Sequence, residues 1–225
     1  KMNLDYFKNI KNSLDLHQEN NQISNLKLVA VSKKHGVEKI KKLYDLGQKD
    51  FGENYVQEAI EKIEYFKDKD ITWHFIGPIQ SNKCQLIAKN FDWIHSIDRV
   101  KIFNKIEKCS FELNKKINYL IQINISKEES KSGLSLDDLD DFINQLDTNS
   151  TGMILRGIMA LPTNTNDTNI LTSEFTLMQS VFNELRAKYQ TIDTLSMGMS
   201  NDYQIAIDNG STMVRIGTKI FGERL

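Results

Sequence analysis

Hydrophobic and polar positions alternate between two rhythms along the chain. Short apolar or β-branched runs at 28–32, 50–52, 72–77, 93–97, 118–125, 155–161, 194–197 and 213–217 read as strands. The gaps between several of them repeat with a helical period. Val37, Ile40, Leu43 and Tyr44 share one face and stop at Gly47, a natural helix terminator. Val56, Ala59, Ile60 and Ile63 form a second stripe, and Val100, Phe103, Ile106 and Leu113 a third. Leu136, Leu139, Phe142, Ile143 and Leu146 form a fourth, and Met178, Val181, Phe182 and Leu185 a fifth. Strands alternating with helices in this way form a parallel sheet, and a run of eight predicts an α/β fold, a single-domain (β/α)8 TIM barrel. An extra N-terminal helix carries Phe7, Ile10 and Leu14; residues 1–26 are expected to hold this helix and a linker, and 27–225 the barrel. The segment 218–225 is too short for a full outer helix, so the N-terminal helix is expected to cover that sector.

Composition narrows the function. The 225 residues fit one large domain, with 40% hydrophobic and 26% charged residues and only 2 prolines, as in a globular chain with a sizeable core. A net charge of −1 provides no broad positive field, so neither nucleic acid nor an acidic membrane is an expected partner. Cys84 and Cys109 are the only cysteines and lack metal-ligand spacing, which predicts buried, reduced thiols. The N-terminal stretch is charged throughout and no window reaches membrane-spanning length, so the expected location is cytoplasmic.

In a barrel, chemistry belongs to the loops that follow the strands. The seventh strand runs into Ser196-Met-Gly-Met-Ser-Asn-Asp202 and the eighth into Arg215-Ile-Gly-Thr218, each opening a helix. Glycines admit a ligand close to the backbone, Ser200 and Thr218 offer hydroxyls, and helix starts present N–H groups, so the pair suits a phosphate. Plain N-capping by Ser200 and Thr218 explains the same residues without a ligand. Strand one ends in Ala30-Val-Ser-Lys33-Lys34, beside strand eight once the sheet closes. A desolvated lysine there, near Arg215, would favour its neutral amine and could form an imine; a solvated strand end is the plainer alternative. Phosphate and aldehyde together suggest pyridoxal 5′-phosphate (PLP).

Arg215 sits in the apolar run Met213-Val-Arg-Ile and needs a partner or a ligand. A structural salt bridge would serve. Facing a pyridine nitrogen instead, a donor-only guanidinium would keep that nitrogen unprotonated and the ring a poor electron sink. Asn54, in Phe51-Gly-Glu-Asn54, could hydrogen-bond the cofactor or Lys33, and His74 could line the cavity, although a histidine among Trp73, Phe75 and Ile76 is more often a satisfied core residue. Glu128, Glu129 and Lys131 read as a solvated loop face. No metal, P-loop or Ser-His-Asp pattern is present.

The stretches LVAVSK at 28–33, FGENYVQE at 51–58, WHFIGPIQSNK at 73–83, QINISKEESKSG at 122–133 and RGIMALP at 156–162, with DTLSMGMSND and STMVRIGTKIFG after them, resemble the pyridoxal phosphate homeostasis protein family. The likeness runs from about Leu28 to Arg224. It implies a PLP-binding barrel related to the alanine racemase N-terminal domain, with the cofactor covalent on Lys33 as a Schiff base. It further implies phosphate contacts from Ser200, Gly217 and Thr218, Arg215 at the pyridine nitrogen, and Asn54 and Met199 near the ring. The implied role is intracellular PLP (vitamin B6) homeostasis without substantial turnover of amino acids, by a monomer whose partners are PLP and apo PLP-dependent enzymes. The alternative is a weak PLP-dependent racemase. Two-base racemisation needs an acid or base on each face of the substrate, and racemases of this fold take one from a second domain for which this sequence leaves no room.

Overall fold

A computed structural model describes residues 1–223; Arg224 and Leu225, where the resemblance and the final segment end, lie outside the described residues. Eight parallel strands close into a barrel in sequence order. They are β1 (Lys27–Val31), β2 (Asp50–Glu53), β3 (Thr72–Phe75), β4 (Trp93–Ile97), β5 (Ile117–Ile123), β6 (Met153–Ala160), β7 (Thr194–Ser196) and β8 (Met213–Ile216). Closure is made by β1 on β8, with Val29 opposite Arg215 and Ala30 opposite Ile216.

The helices are α1 (Leu4–Asn21), α2 (Val37–Asp45), α3 (Val56–Tyr65), α4 (Cys84–Asn90), α5 (Val100–Glu112), α6 (Leu139–Asn144), α7 (Thr168–Lys188), α8 (Tyr203–Asp208) and α9 (Thr218–Phe221). The stripes read from the sequence face inward: Ile40 and Leu43, Ala59, Phe103 and Ile106, Phe142 and Ile143, Met178 and Phe182 are all buried. Leu113 is the exception at 45% exposed, because α5 ends at Glu112 and Leu113 caps it instead of extending its face. Cys84 is buried as expected, but Cys109 is only half-buried; both are free thiols.

Strand alternation sorts side chains into two layers. Leu28, Ala30, Phe51, Phe75, Ile94 and Ile121 point outward into the large core beneath the helices. Val29, Trp93, Leu120, Met159 and Met213 form a second, smaller cluster inside the barrel. As expected, α1 covers the sector after β8: Phe7, Ile10 and Leu14 are buried, and the Asn3 N–H donates to the Ile220 carbonyl at 2.8 Å.

One glycine is indispensable to the barrel wall. Gly157 has φ +151°, and a Cβ there would lie 1.7 Å from the Thr194 carbonyl oxygen, where β6 pairs with β7. Both the backbone angle and the close strand contact exclude a side chain. Gly157→Ala is expected to cost more than about 3 kcal/mol, from strain plus displacement of β7, which thermal unfolding would register. A melting curve matching wild type would contradict this.

Candidate functional site

A cavity of about 470 Å³ opens at the C-terminal mouth of the barrel. Lys33, Asn54, Met199, Ser200, Arg215, Gly217 and Thr218, the seven residues singled out from the sequence, all line it. They come from the ends of β1, β2, β7 and β8, which barrel closure makes neighbours.

The backbone on both sides of Lys33 is tethered. Ser32 is buried and donates its hydroxyl to Glu53 Oε1 at 2.5 Å. Lys62, reaching in from α3, donates to the Ser32 carbonyl at 2.9 Å, to Glu53 Oε1 at 2.7 Å and to Glu58 Oε1 at 2.6 Å. Glu58 Oε1 also accepts the Lys34 N–H at 2.5 Å. Burial pushes the Glu53 carboxyl above its usual range despite the adjacent Lys62 ammonium, and Glu53 Oε2 has no hydrogen-bond partner. Lys34 adopts φ +61°, and its ammonium lies 5.8 Å from the centre of the Tyr55 ring. The turn thus separates the two lysines, and only Lys33 lines the cavity.

On the opposite wall the chain leaves β7 through Gly198, where φ is +98° and a Cβ would approach that of Ala206 to 2.7 Å. The next residues make a tight turn. The Met199 N–H donates to Asp202 Oδ1 at 2.6 Å, and the Met199 carbonyl accepts from Asp202 N at 3.2 Å and from Tyr203 N at 2.9 Å. Burial raises the Asp202 pKa, opposed by the Met199 N–H and by Arg215. Ser200 and Asn201 are left at the tip, facing the cavity. From α1, the Tyr6 hydroxyl donates to the Ser200 carbonyl at 3.4 Å, and burial raises the Tyr6 pKa to about 12.

Arg215 is 4% exposed, and among the described residues it forms no ion pair. The structural salt bridge left open by the sequence is therefore not its partner. Instead Nη1 donates to Ser196 Oγ at 2.5 Å and Nη2 to the Ala160 carbonyl at 3.1 Å. Burial lowers its pKa to about 10, so it stays charged at neutral pH and presents only donors.

Lys131 departs from the sequence reading, and two histidines beneath the cavity complete it. Lys131, read as part of a solvated loop face, lines the cavity and spans Glu128 Oε1 at 2.8 Å and the Pro162 carbonyl at 3.2 Å. His74 is buried with both ring nitrogens hydrogen-bonded, as expected of a satisfied core residue, yet it does not line the cavity. His95, which the sequence reading passed over, is fully buried beside it. The alternation in Trp93-Ile-His-Ser-Ile was the available signal, since it places His95 inside the barrel. Among the described residues no His, Cys, Asp and Glu grouping could hold a metal ion, and no helix is long and apolar enough to cross a membrane.

The arrangement suits a phosphorylated aldehyde bearing a ring nitrogen. Asn54 Oδ1 is buried without a hydrogen-bond partner among the described residues, as expected where the partner arrives with a ligand. Gly217 lets the end of β8 pack closely on β1: a Cβ there would lie 3.1 Å from the Val31 carbonyl oxygen, on the strand that leads to Lys33.

A closed parallel barrel with a lysine past β1 and a buried arginine in β8 defines a class, and the family described as "Alanine racemase, N-terminal domain" matches residues 8–225. The pyridoxal phosphate homeostasis protein of Pasteurella multocida (strain Pm70) is 50% identical over 205 residues, covering 89% of this chain and 88% of the relative. That of Escherichia coli (strain K12) is 46% identical over 200 residues, covering 88% and 85%. The solved structure of PipY from Synechococcus elongatus PCC7942 with PLP bound superposes with a TM-score of 0.81 at 33% identity, covering 92% of this chain and 98% of PipY. Within the alanine racemase N-terminal-domain class, the chain belongs to the pyridoxal phosphate homeostasis protein family.

Proposed function

We propose that this chain binds PLP covalently through Lys33 and serves intracellular PLP homeostasis as a holder of the cofactor, not as an enzyme that turns over amino acids. The observation that carries the reading is the convergence of Lys33, Arg215 and the turns after β7 and β8 on one cavity. PLP, when bound, supplies an aldehyde to an amine and an electron-accepting ring. Lys33 would supply the amine that joins this aldehyde, with loss of one water. Ser200, Gly217 and Thr218 would hold the phosphate, Asn54 and Met199 would lie near the ring, and Arg215, which only donates, would face the pyridine nitrogen and disfavour its protonation.

The cavity lining also supports limited catalysis. Among the described residues it includes no tyrosine, histidine or cysteine; the one carboxylate among them, on Asp202, is engaged by the Met199 N–H, and Lys131 by Glu128 and Pro162. Lys33 is then the principal proton-transfer group, where racemisation needs one on each face. Two free cysteines whose burial raises their thiol pKa fit a reducing, cytoplasmic setting. Large exposed apolar side chains such as Leu16, Tyr65, Phe111 and Ile170 are spread over separate helices, which fits a monomer that releases PLP to apo PLP-dependent enzymes.

The reading is tested by titrating the protein with PLP and then adding amino acids. A visible absorbance should develop, persist, and be accompanied by no α-proton exchange above about one thousandth of ordinary enzymic rates of ~10 s⁻¹. Exchange at enzymic rates would refute the carrier role.

A second prediction separates the lysines. Lys34→Ala should leave the absorbance unchanged, because its side chain lies outside the cavity over Tyr55. Loss of the band in that variant would show that the two lysines had been assigned the wrong way round.

A further inference from the structure

Beneath the cavity, four polar side chains and one carboxylate form a single file through the barrel. Arg215 Nη1 lies 2.5 Å from Ser196 Oγ, Ser196 Oγ 3.1 Å from His95 Nδ1, His95 Nε2 2.9 Å from His74 Nδ1, and His74 Nε2 2.8 Å from Asp50 Oδ1. Ser196, His74 and His95 are fully buried, Arg215 is 4% exposed, and the Asp50 side chain is 17% exposed at the opposite, N-terminal end of β2. The file thus crosses the barrel from its far end to the cavity. Such interiors are normally filled by apolar side chains, as Val29, Leu120, Met159 and Met213 do here.

Acceptor chemistry at the Asp50 end gives the file one direction. The Asp50 carboxylate only accepts, so a neutral His74 carries its proton on Nε2 and accepts at Nδ1 from His95 Nε2. A neutral His95 is then an acceptor at Nδ1 and takes the Ser196 hydroxyl proton. Guanidinium only donates, so Ser196 Oγ accepts from Arg215, which accommodates the same polarity. Trp93 fixes the histidine rings, stacking on His74 at 5.5 Å and meeting His95 edge-on at 6.3 Å.

We propose that Asp50, His74, His95 and Ser196 are positioning residues that, through this one-way hydrogen-bond relay, hold the Arg215 guanidinium in the orientation from which it faces the pyridine nitrogen. The inference rests on the proposed PLP site, but the relay itself exists without the cofactor. A fully satisfied buried network selects one arrangement of its members, and here the member at the cavity is the cation that contacts the ring. The charged groups around the file fit this direction. Lys27 and Lys11 favour the Asp50 carboxylate, and the His74 hydrogen bond helps hold its pKa below the usual range against burial. His95 is kept neutral by burial and by the nearby Arg215 cation, while Asp202 favours the Arg215 cation.

Nitrogen NMR of the cofactor-free protein, labelled in histidine, tests the relay alone. Both His74 and His95 should be Nε2-protonated at neutral pH, and His95 should remain neutral at acidities that protonate an ordinary imidazole. An Nδ1-protonated form of either ring, or a charged His95 in that range, overturns the proposal whether or not PLP binds. In the loaded protein, Ser196→Ala should weaken PLP binding about tenfold and shift the visible band, while Ser196→Thr, which restores the hydroxyl, should recover affinity to within about threefold. Asp50→Asn, remote from the cavity, should change the band in the same direction by a smaller amount. A folded Ser196→Ala protein with wild-type affinity and spectrum would also refute the relay.

Discussion

Lys33→Ala is expected to abolish the visible absorbance of the PLP-loaded protein and to leave nothing for borohydride to fix. The fold should survive. Lys33 follows the end of β1, and its neighbours are held by Ser32, Glu53, Lys62 and Glu58. A cooperative melting transition shows that the variant is folded when its spectrum is read. Residual PLP should still bind through Arg215 and the turns after β7 and β8, weakly and reversibly. Measuring absorbance together with bound phosphate distinguishes the two components. A variant that keeps both the band and borohydride-stable label would place the covalent attachment on another amine.

The largest effect on stability is expected from Lys62→Ala. Lys62 is 4% exposed, and its ammonium is the cation that pairs with the fully buried Glu53. Removing it strands a carboxylate and the Ser32 carbonyl in a site closed to water, at a cost of about 3–5 kcal/mol. For a chain of this size that lowers the melting temperature by roughly 10 °C. The loss carries a pH signature. Burial already raises the Glu53 pKa in the folded state, and loss of Lys62 raises it further. The folded variant then holds a proton that the unfolded chain releases above about pH 4.5, so its stability must fall as pH rises from there through the folded-state value. The deficit relative to wild type should therefore be smaller near pH 5 than near pH 8. Combining Lys62→Met with Glu53→Gln should recover most of the loss, because the uncompensated charge is gone. Equal melting of Lys62→Ala and wild type at both pH values would contradict this account of the cluster.

Much of the barrel was legible in the sequence because each strand is a short apolar or β-branched run followed by a turn, and order alone fixes neighbours in a closed parallel sheet. Errors gathered at ends and in short elements. The β3 run was read through Gly77 but pairs only to Phe75, after which the chain turns into the loop. The seven-residue α4, Cys84–Asn90, is too brief for its period to stand out. The seven cavity residues were visible because loops after neighbouring strands carry them, and closure brings β1 beside β8. The groups behind them were not. Ser196 and His95 are 101 positions apart, and Asp50 is 24 from His74, so no local spacing announces either hydrogen bond. Glu53 and Lys62 are 9 apart on different elements, and each alone looks like an ordinary surface charge. Lys131 was misread for the same reason, since only the folded loop turns it toward the cavity.

The central claim is that one amine at the end of β1 carries the cofactor. Borohydride reduction of PLP-loaded, unmutated protein, followed by mass spectrometry of its peptides, tests it most directly. The account predicts a single phosphopyridoxyl group on Lys33, in near one-to-one yield, with Lys34 and Lys131 unmodified. Label on any other lysine in comparable yield, or no stable label from a protein saturated with PLP, would contradict it.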